Sequence, residues 1–257
     1  MSASGHDVST ANVTRFGRNV YLKEDPNTRI GGALIADRGL AMDENCSIFT
    51  DFLQKAASTA VLPWTVTKTG TDETADYVAN AVDGILRFTC GGTSEAQTMR
   101  VDHGDQLMIN VSKQPRFECK IKPAPAGANY GTTTRLVVGL ASAYNATLDN
   151  VVTNAWFRLG DHADLNIYCE ADDGTTDTDD SDTGADWVAA TDLALMVAID
   201  SALVAHFYVN GTEVKTASLA ALAANTAVQP IIAFQRASGT VLDVVNIDWI
   251  KVTWKRS

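Results

Sequence analysis

The chain has 257 residues, 46% of them hydrophobic and 20% charged, with a formal net charge of −11. That length and apolar content suffice for one large β domain or two smaller ones. The acidic surplus argues against a nucleic-acid partner, whose phosphates need clustered Lys and Arg, and no run reaches the ~18 apolar residues of a membrane span. The acid is unevenly spread: residues 170–186 hold eight acidic side chains and no basic one. The first residues lack a basic segment followed by an apolar core, so no secretory signal is read there. Cys46, Cys90, Cys119 and Cys169 are far apart with no C-x-x-C pair, which disfavours a zinc or redox motif. Isolated buried thiols are preferred to a disulfide.

Taken in order, residues 1–45 stand apart. Residues 1–12 are small and polar. From 13 to 45 every apolar run is interrupted, as at Asp25-Pro26-Asn27 and Gly31-Gly32, so no strong helix is available. Two readings stay open: an extended arm that lies along a partner, or a first strand pair of the following domain. For the arm, the contact residues are Arg15, Phe16, Arg18, Tyr21, Arg29 and Arg38.

The domain proper, 46–257, opens at residues 47–53. Residues 54–60 read as a short helical turn and 69–76 as a polar loop. Strands are expected over 64–68, 85–90, 96–103, 106–111, 117–121, 135–141, 154–159, 165–171, 193–200, 229–236 and 241–254. In these segments apolar and polar residues alternate, or a short run is apolar on both faces. Pro230 stands near the start of its strand, where a missing N–H is tolerable. Residues 217–224, A-S-L-A-A-L-A-A, form the one helix candidate.

Residues 203–215 carry the clearest local signal. Leu203, Ala205, Phe207 and Val209 alternate with Val204, His206, Tyr208 and Asn210, the period of a strand. Asn210-Gly211 then supplies the two positive-φ residues of a type I′ turn. More than ten such strands, about 10–15 residues apart and with almost no helix, predict an all-β, antiparallel two-sheet jelly-roll sandwich with an N-terminal arm.

Motifs for chemistry are sparse. Asp and hydroxyl side chains in 170–186 suit Ca²⁺, but a start at Asp177 places Asp182 where an EF-hand needs Gly and Val188 where it needs Glu. A solvated loop extended by its own charge is favoured, and no metal site or cofactor is expected. His6, His103, His162 and His206 are not paired at ligand spacing, and Asp102-His103 and Asp161-His162 would point to opposite faces of a strand. His206 and Tyr208 share a face with no carboxylate in view, which suits packing or partner contact. A retaining glucanase needs carboxylates about 5–5.5 Å apart on one face, and no E-x-D-x-x-E occurs. P-loop, G-x-G-x-x-G and nucleophile-elbow motifs are absent too. No catalytic residue is assigned, and a non-enzymatic protein is expected. Trp64, Trp156, Trp187, Tyr144 and Tyr208 could stack on sugars, although a sandwich Trp is more often core. Trp187 and Tyr208 are the sugar-binding candidates.

The segments D-F-L, L-P-W, G-I-L-R-F-T, P-R-F-E-C-K-I-K, V-V-G-L-A-S, A-W-F-R-L, H-F-Y-V-N-G-T-E-V and V-N-I-D-W-I-K-V resemble the concanavalin A-like (laminin G/glucanase-type) jelly roll over residues 47–254. The version they look most like occurs in virion proteins of tailed bacteriophages. That resemblance implies a structural role: capsid decoration or another head-associated position, made in the host cytoplasm and carried on the capsid surface. The partners it implies are the major capsid protein and sister subunits of a homo-oligomer, with the arm as anchor and no nucleic acid or membrane. The alternative is a lectin-like, carbohydrate-binding domain of a tail fibre or adhesin. The family's lectin metal ligands and glucanase carboxylates are not recognisable in the sequence.

Overall fold

Period-two alternation carries most of the described residues into strands. A computed structural model describes residues 13–16, 19–22, 45–50, 52, 60–61, 64–78, 81, 84–122, 134–160, 165–187 and 191–256. The chain divides into two compact units, Met1–Cys46 with Arg256–Ser257, and Ser47–Lys255. In the first, β1 (Val13–Phe16) and β2 (Asn19–Leu22) pair antiparallel, Val13 opposite Leu22 and Phe16 opposite Asn19. Arg15, Phe16 and Tyr21 stand on these strands, while Arg18, Arg29 and Arg38 lie outside the described residues.

The strands that follow are β3 (Asn45–Thr50), β4 (Ala60–Val61), β5 (Trp64–Thr69), β6 (Thr74–Tyr77), β7 (Leu86–Thr89), β8 (Gln97–Asp102), β9 (Ile109–Asn110), β10 (Arg116–Lys122), β11 (Thr134–Ala141), β12 (Asn154–Leu159), β13 (Asn166–Asp172), β14 (Asp177–Asp186), β15 (Leu193–Ile199), β16 (Val204–Val209), β17 (Thr212–Ser218), β18 (Ala227–Arg236) and β19 (Val244–Lys255). They form an eight-stranded sheet, β17-β16-β15-β10-β19-β7-β6 with β3 also on β19, and a nine-stranded sheet, β14-β13-β12-β11-β18-β8-β5-β4 with β9 also on β18. This is the expected antiparallel sandwich. Phe117, Cys119, Val197, Phe207 and Ile250 from one sheet meet Met99, Leu136, Val138, Phe157 and Phe234 from the other in one core. Phe157 and Phe207 touch edge-on across it, with centroids 5.3 Å apart and planes at 85°, a favoured aromatic geometry.

A second, smaller core lies on the outward side of the nine-stranded sheet. Val137, Ala141, Trp156, Ile231 and Ala233 are roofed there by Leu148 and Val151, with Tyr144 packed against them. Gly139 makes room for it. It sits opposite Trp156, and a Cβ at 139 would lie 2.4 Å from the Ala155 carbonyl oxygen and 2.6 Å from Trp156 Cα.

Local features follow from their residues. Asn210 and Gly211 both have positive φ, 49° and 82°, and close the hairpin between β16 and β17 as the turn type requires. Pro230 falls where β18 changes neighbours, between Val228 on β9 and Ile231 on β8, so its missing N–H removes no pairing there. Three expectations are corrected. Residues 217–224 are not a helix: Ala217 and Ser218 pair with Ala205 and Val204, and Leu219 and Leu222 enter the core from turns. An eight-residue helix is too short to hold itself against that pairing. Within 69–76, Thr74 begins β6. The acidic stretch is not a loop either, because residues 177–186 form β14, an edge strand on β13. Edge strands use charge to block further pairing. The helical turn expected at 54–60 lies outside the described residues but for Ala60. All four cysteines are free thiols.

Candidate functional site

β13 organises the site. Ile167, Cys169 and Ala171 enter the core, so period two sends Tyr168, Glu170 and Asp172 to the outward face. β12 brings Arg158, Trp156 and Asn154 to that face, directly opposite those three in register. β14 adds Asp177, Asp179, Asp180 and Asp182, and the turn before β12 adds Asp149. Register shifts on β13–β14 between Cys169 and Ala171, with Asp180 at φ 39°, let both Asp179 and Asp180 reach the cluster, as a bulge re-aims side chains.

Arg158 ties the group together. Its Nη1 lies 2.9 Å from Glu170 Oε2, 2.8 Å from Asp180 Oδ1 and 3.7 Å from Asp149 Oδ1. Asn154 Nδ2 donates to the Val151 carbonyl at 2.8 Å and to Glu170 Oε1 at 3.2 Å. Asn166 Nδ2 donates to the Tyr168 hydroxyl at 3.3 Å and to Asp182 Oδ2 at 3.2 Å. One carboxylate oxygen each from Asp149, Glu170 and Asp179 lie within 4.8 Å of one another. Such an all-oxygen set could hold a hard cation, in competition with Arg158 for Glu170.

The electrostatics set two carboxyls apart. Glu170 is 1% exposed. Burial pushes its carboxyl up, and the Trp156 indole and the Arg158 guanidinium pull it back part of the way. Asp177, at the surface, is pushed up to about 6 by partial desolvation and then by the charges of Asp179, Asp172 and Asp149. The face therefore offers two carboxyls of raised pKa among other carboxylates, a guanidinium, amides and the Tyr168 ring. These groups donate and accept hydrogen bonds in close array, as polyhydroxylated ligands require.

The residues singled out in the sequence fall elsewhere. Trp187 is 4% exposed and part of the core, so its ring faces are spent on packing and the sugar-stacking role is corrected. Trp64 and Trp156 are buried too. Tyr144 lies under the Arg100 guanidinium, 5.1 Å from it. Tyr208 is half-buried, and its hydroxyl is raised chiefly by its hydrogen bond with Glu213. His206 does have carboxylate partners: Nε2 is 3.3 Å from Asp200 Oδ2 and Nδ1 is 3.4 Å from Glu213 Oε1. These come from the preceding turn and the paired strand, beyond the reach of local spacing. His103 is buried against Trp64 with ring centroids 4.7 Å apart, while Asp102 pairs with Arg100 and accepts from the Gly104 N–H. His6 and His162 lie outside the described residues. The missed signal was Tyr168-x-Glu170-x-Asp172, three chemistry-bearing residues at period two on one strand face.

No protein-family model matches the chain, and no curated protein matches it in sequence. Solved structures do match in fold. The carbohydrate recognition domain of Emp46p, in a potassium-bound form, superposes with a TM-score of 0.55 at 10% identity, covering 79% of this chain and 94% of that one. An endo-β-1,4-glucuronan lyase from the fungus Trichoderma reesei gives 0.51 at 11% identity, covering 80% and 94%. A Bacillus licheniformis β-glucanase gives 0.50 at 13%, covering 82% and 98%. The chain thus has the concanavalin A-like jelly-roll fold of lectin and hydrolase domains. The expectation of a non-enzymatic protein is corrected: a lyase and a glucanase use this same sandwich, so the lack of an E-x-D-x-x-E spacing excludes no activity.

Proposed function

We propose that this protein binds carbohydrate on the outward face of β12–β14. The observation that carries this reading is the row Tyr168, Glu170 and Asp172, set against Arg158 and Asn154 and bordered by the aspartates of β14. A pyranose laid on the half-buried Tyr168 ring would place its hydroxyls among the exposed carboxylates of Asp149, Asp177, Asp179 and Asp182, with the buried Glu170, Arg158 and Asn154 beneath them as the frame that fixes their positions. The fold shared with a carbohydrate recognition domain supports the reading. Glycan-array screening followed by calorimetry tests it. Saturable binding that Tyr168→Ala and Asp180→Asn both weaken is expected, and a blank array refutes it.

A second reading, glycan cleavage, has its own support. Asp177, at the surface, has its carboxyl raised to about 6 beside Asp179 and Asp149, the kind of tuning that suits a general acid. Release of reducing ends from a β-glucan or a polyuronate, lost in Asp177→Asn, would support it. No release from any glycan that the array identifies would refute it.

The proposed setting is a phage virion, with residues 1–45 attaching the sandwich to the capsid shell or to sister subunits. The resemblance of the strand segments to virion jelly rolls supports it, as does the interrupted apolar pattern of residues 13–45. Deletion of residues 1–45 is expected to abolish particle binding and spare glycan binding. Particle binding that survives the deletion contradicts the attachment.

A further inference from the structure

The outward face of the eight-stranded sheet holds a second convergence that the β12–β14 site does not use. On β10 and β19, Lys120 stands opposite Trp249, Glu118 opposite Lys251 and Lys122 opposite Asn246, and Arg87 of β7 flanks Asn246 from the other side. Phe49 on β3 lies beside Trp249, ring centroids 6.3 Å apart and planes at 42°. At 59% it is the most exposed large hydrophobic side chain among the described residues. Phe49, exposed beside the half-buried Trp249, leaves apolar surface in water, and such surface marks contact sites when it is rimmed by polar groups.

The rim is cationic. Asp248 is shared by Lys120 and Lys122 at 3.5 Å each, and Lys120 also meets Asp192 at 2.6 Å. Glu118 is shared by Arg116 at 3.0 Å and Lys251 at 3.4 Å. Arg87 donates its Nε to the neutral Asn246 side chain at 2.9 Å. Four cations therefore divide three carboxylates between them, and Arg87 is a fifth cation held by an amide; Asp76 opposite Arg87 adds a fourth acid, and Lys255 at the end of β19 adds a sixth cation. Cations outnumber carboxylates around Phe49 and Trp249, while Asp200 and Glu213 lie at the β16–β17 end of the same face; on a chain of net charge −11 such a local surplus attracts anions.

We infer that this face binds an acidic polysaccharide, with Phe49 and Trp249 stacking on a sugar ring and Lys120, Lys122 and Lys251 meeting its carboxylates. The rings select a sugar over a plain polyanion, and the charge selects a uronate over a neutral glycan. The surface is separate from the β12–β14 site and does not rest on it.

Affinity electrophoresis and calorimetry of the full chain against polyglucuronate, a neutral β-glucan and poly-L-glutamate test the inference. Polyglucuronate alone is expected to bind, more weakly as salt screens the lysines. Phe49→Ala is expected to cost about tenfold in affinity, as loss of a central aromatic anchor does. The double variant Lys120→Gln with Lys122→Gln is expected to lose binding with the melting temperature of Phe49→Ala unchanged from that of the wild type. Equal binding of poly-L-glutamate, no polyglucuronate binding, or full binding by Phe49→Ala overturns the inference. Loss in Tyr168→Ala with Phe49→Ala unaffected would move the polyuronate to β12–β14 and overturn it as well, while supporting the first site.

Discussion

His103 gives the sharpest stability prediction. Its ring is 3% exposed, packed at a tilt against Trp64, and neither ring nitrogen has a hydrogen-bond partner among the described residues. Burial alone lowers its pKa from 6.5 to about 4. The unfolded chain therefore takes up a proton at higher pH than the folded one, and folding loses stability as pH falls. The contribution is intact above pH 6.5, declines from there to about 4, and is flat below. At ~1.4 kcal/mol for each tenfold difference in proton affinity, the full loss is up to about 3 kcal/mol. Replacement by Leu keeps an apolar neighbour for Trp64 and removes the proton site. Urea unfolding of wild type and His103→Leu at a series of pH values from 7.5 to 4 measures the difference, and the carboxylates, present in both, cancel from it. The stability gap is expected to shift in favour of His103→Leu by about 2–3 kcal/mol across that range. Parallel profiles would refute the claim that this imidazole is buried neutral.

Other substitutions probe the frame of the site. Arg158→Ala strands Glu170 in a buried position with the Asn154 amide and the Trp156 indole as donors but no cation beside it; a loss of about 3–5 kcal/mol is expected in chemical unfolding, and Arg158→Ala combined with Glu170→Gln should recover part of it. Gly139→Ala forces a Cβ into the Ala155 carbonyl and Trp156 Cα, so calorimetry should show a loss of at least about 1–3 kcal/mol. Gly211→Ala puts a Cβ at φ 82°, where the left-handed backbone costs about 1–2 kcal/mol, readable as a lower unfolding midpoint.

Strand identity was legible wherever one face of a strand is buried. Phe117, Cys119 and Ile121 sit in the core and Glu118 and Lys120 outside it, as their alternation predicts. The Asn210-Gly211 turn was legible because its chemistry is local. β14 was not, because five aspartates in ten residues look like a solvated loop, and only pairing with β13 makes them a strand. Residues 217–224 misled for the converse reason: Ala and Leu favour a helix in isolation, and here the β16 edge outcompetes it. The site was the least legible part. Half of its signal, Tyr168-x-Glu170-x-Asp172, was present in the chain as period two. The other half comes from Asp149, Arg158 and Asp180, which only the β12–β13–β14 register brings together.

The central claim, that the β12–β14 face is a carbohydrate site, is tested most directly by calorimetric titration of the strongest array glycan into wild type and Tyr168→Ala. A saturable wild-type isotherm that weakens about tenfold or more in Tyr168→Ala, with the fold intact, is the predicted result. Equal affinities for the two proteins would contradict the account.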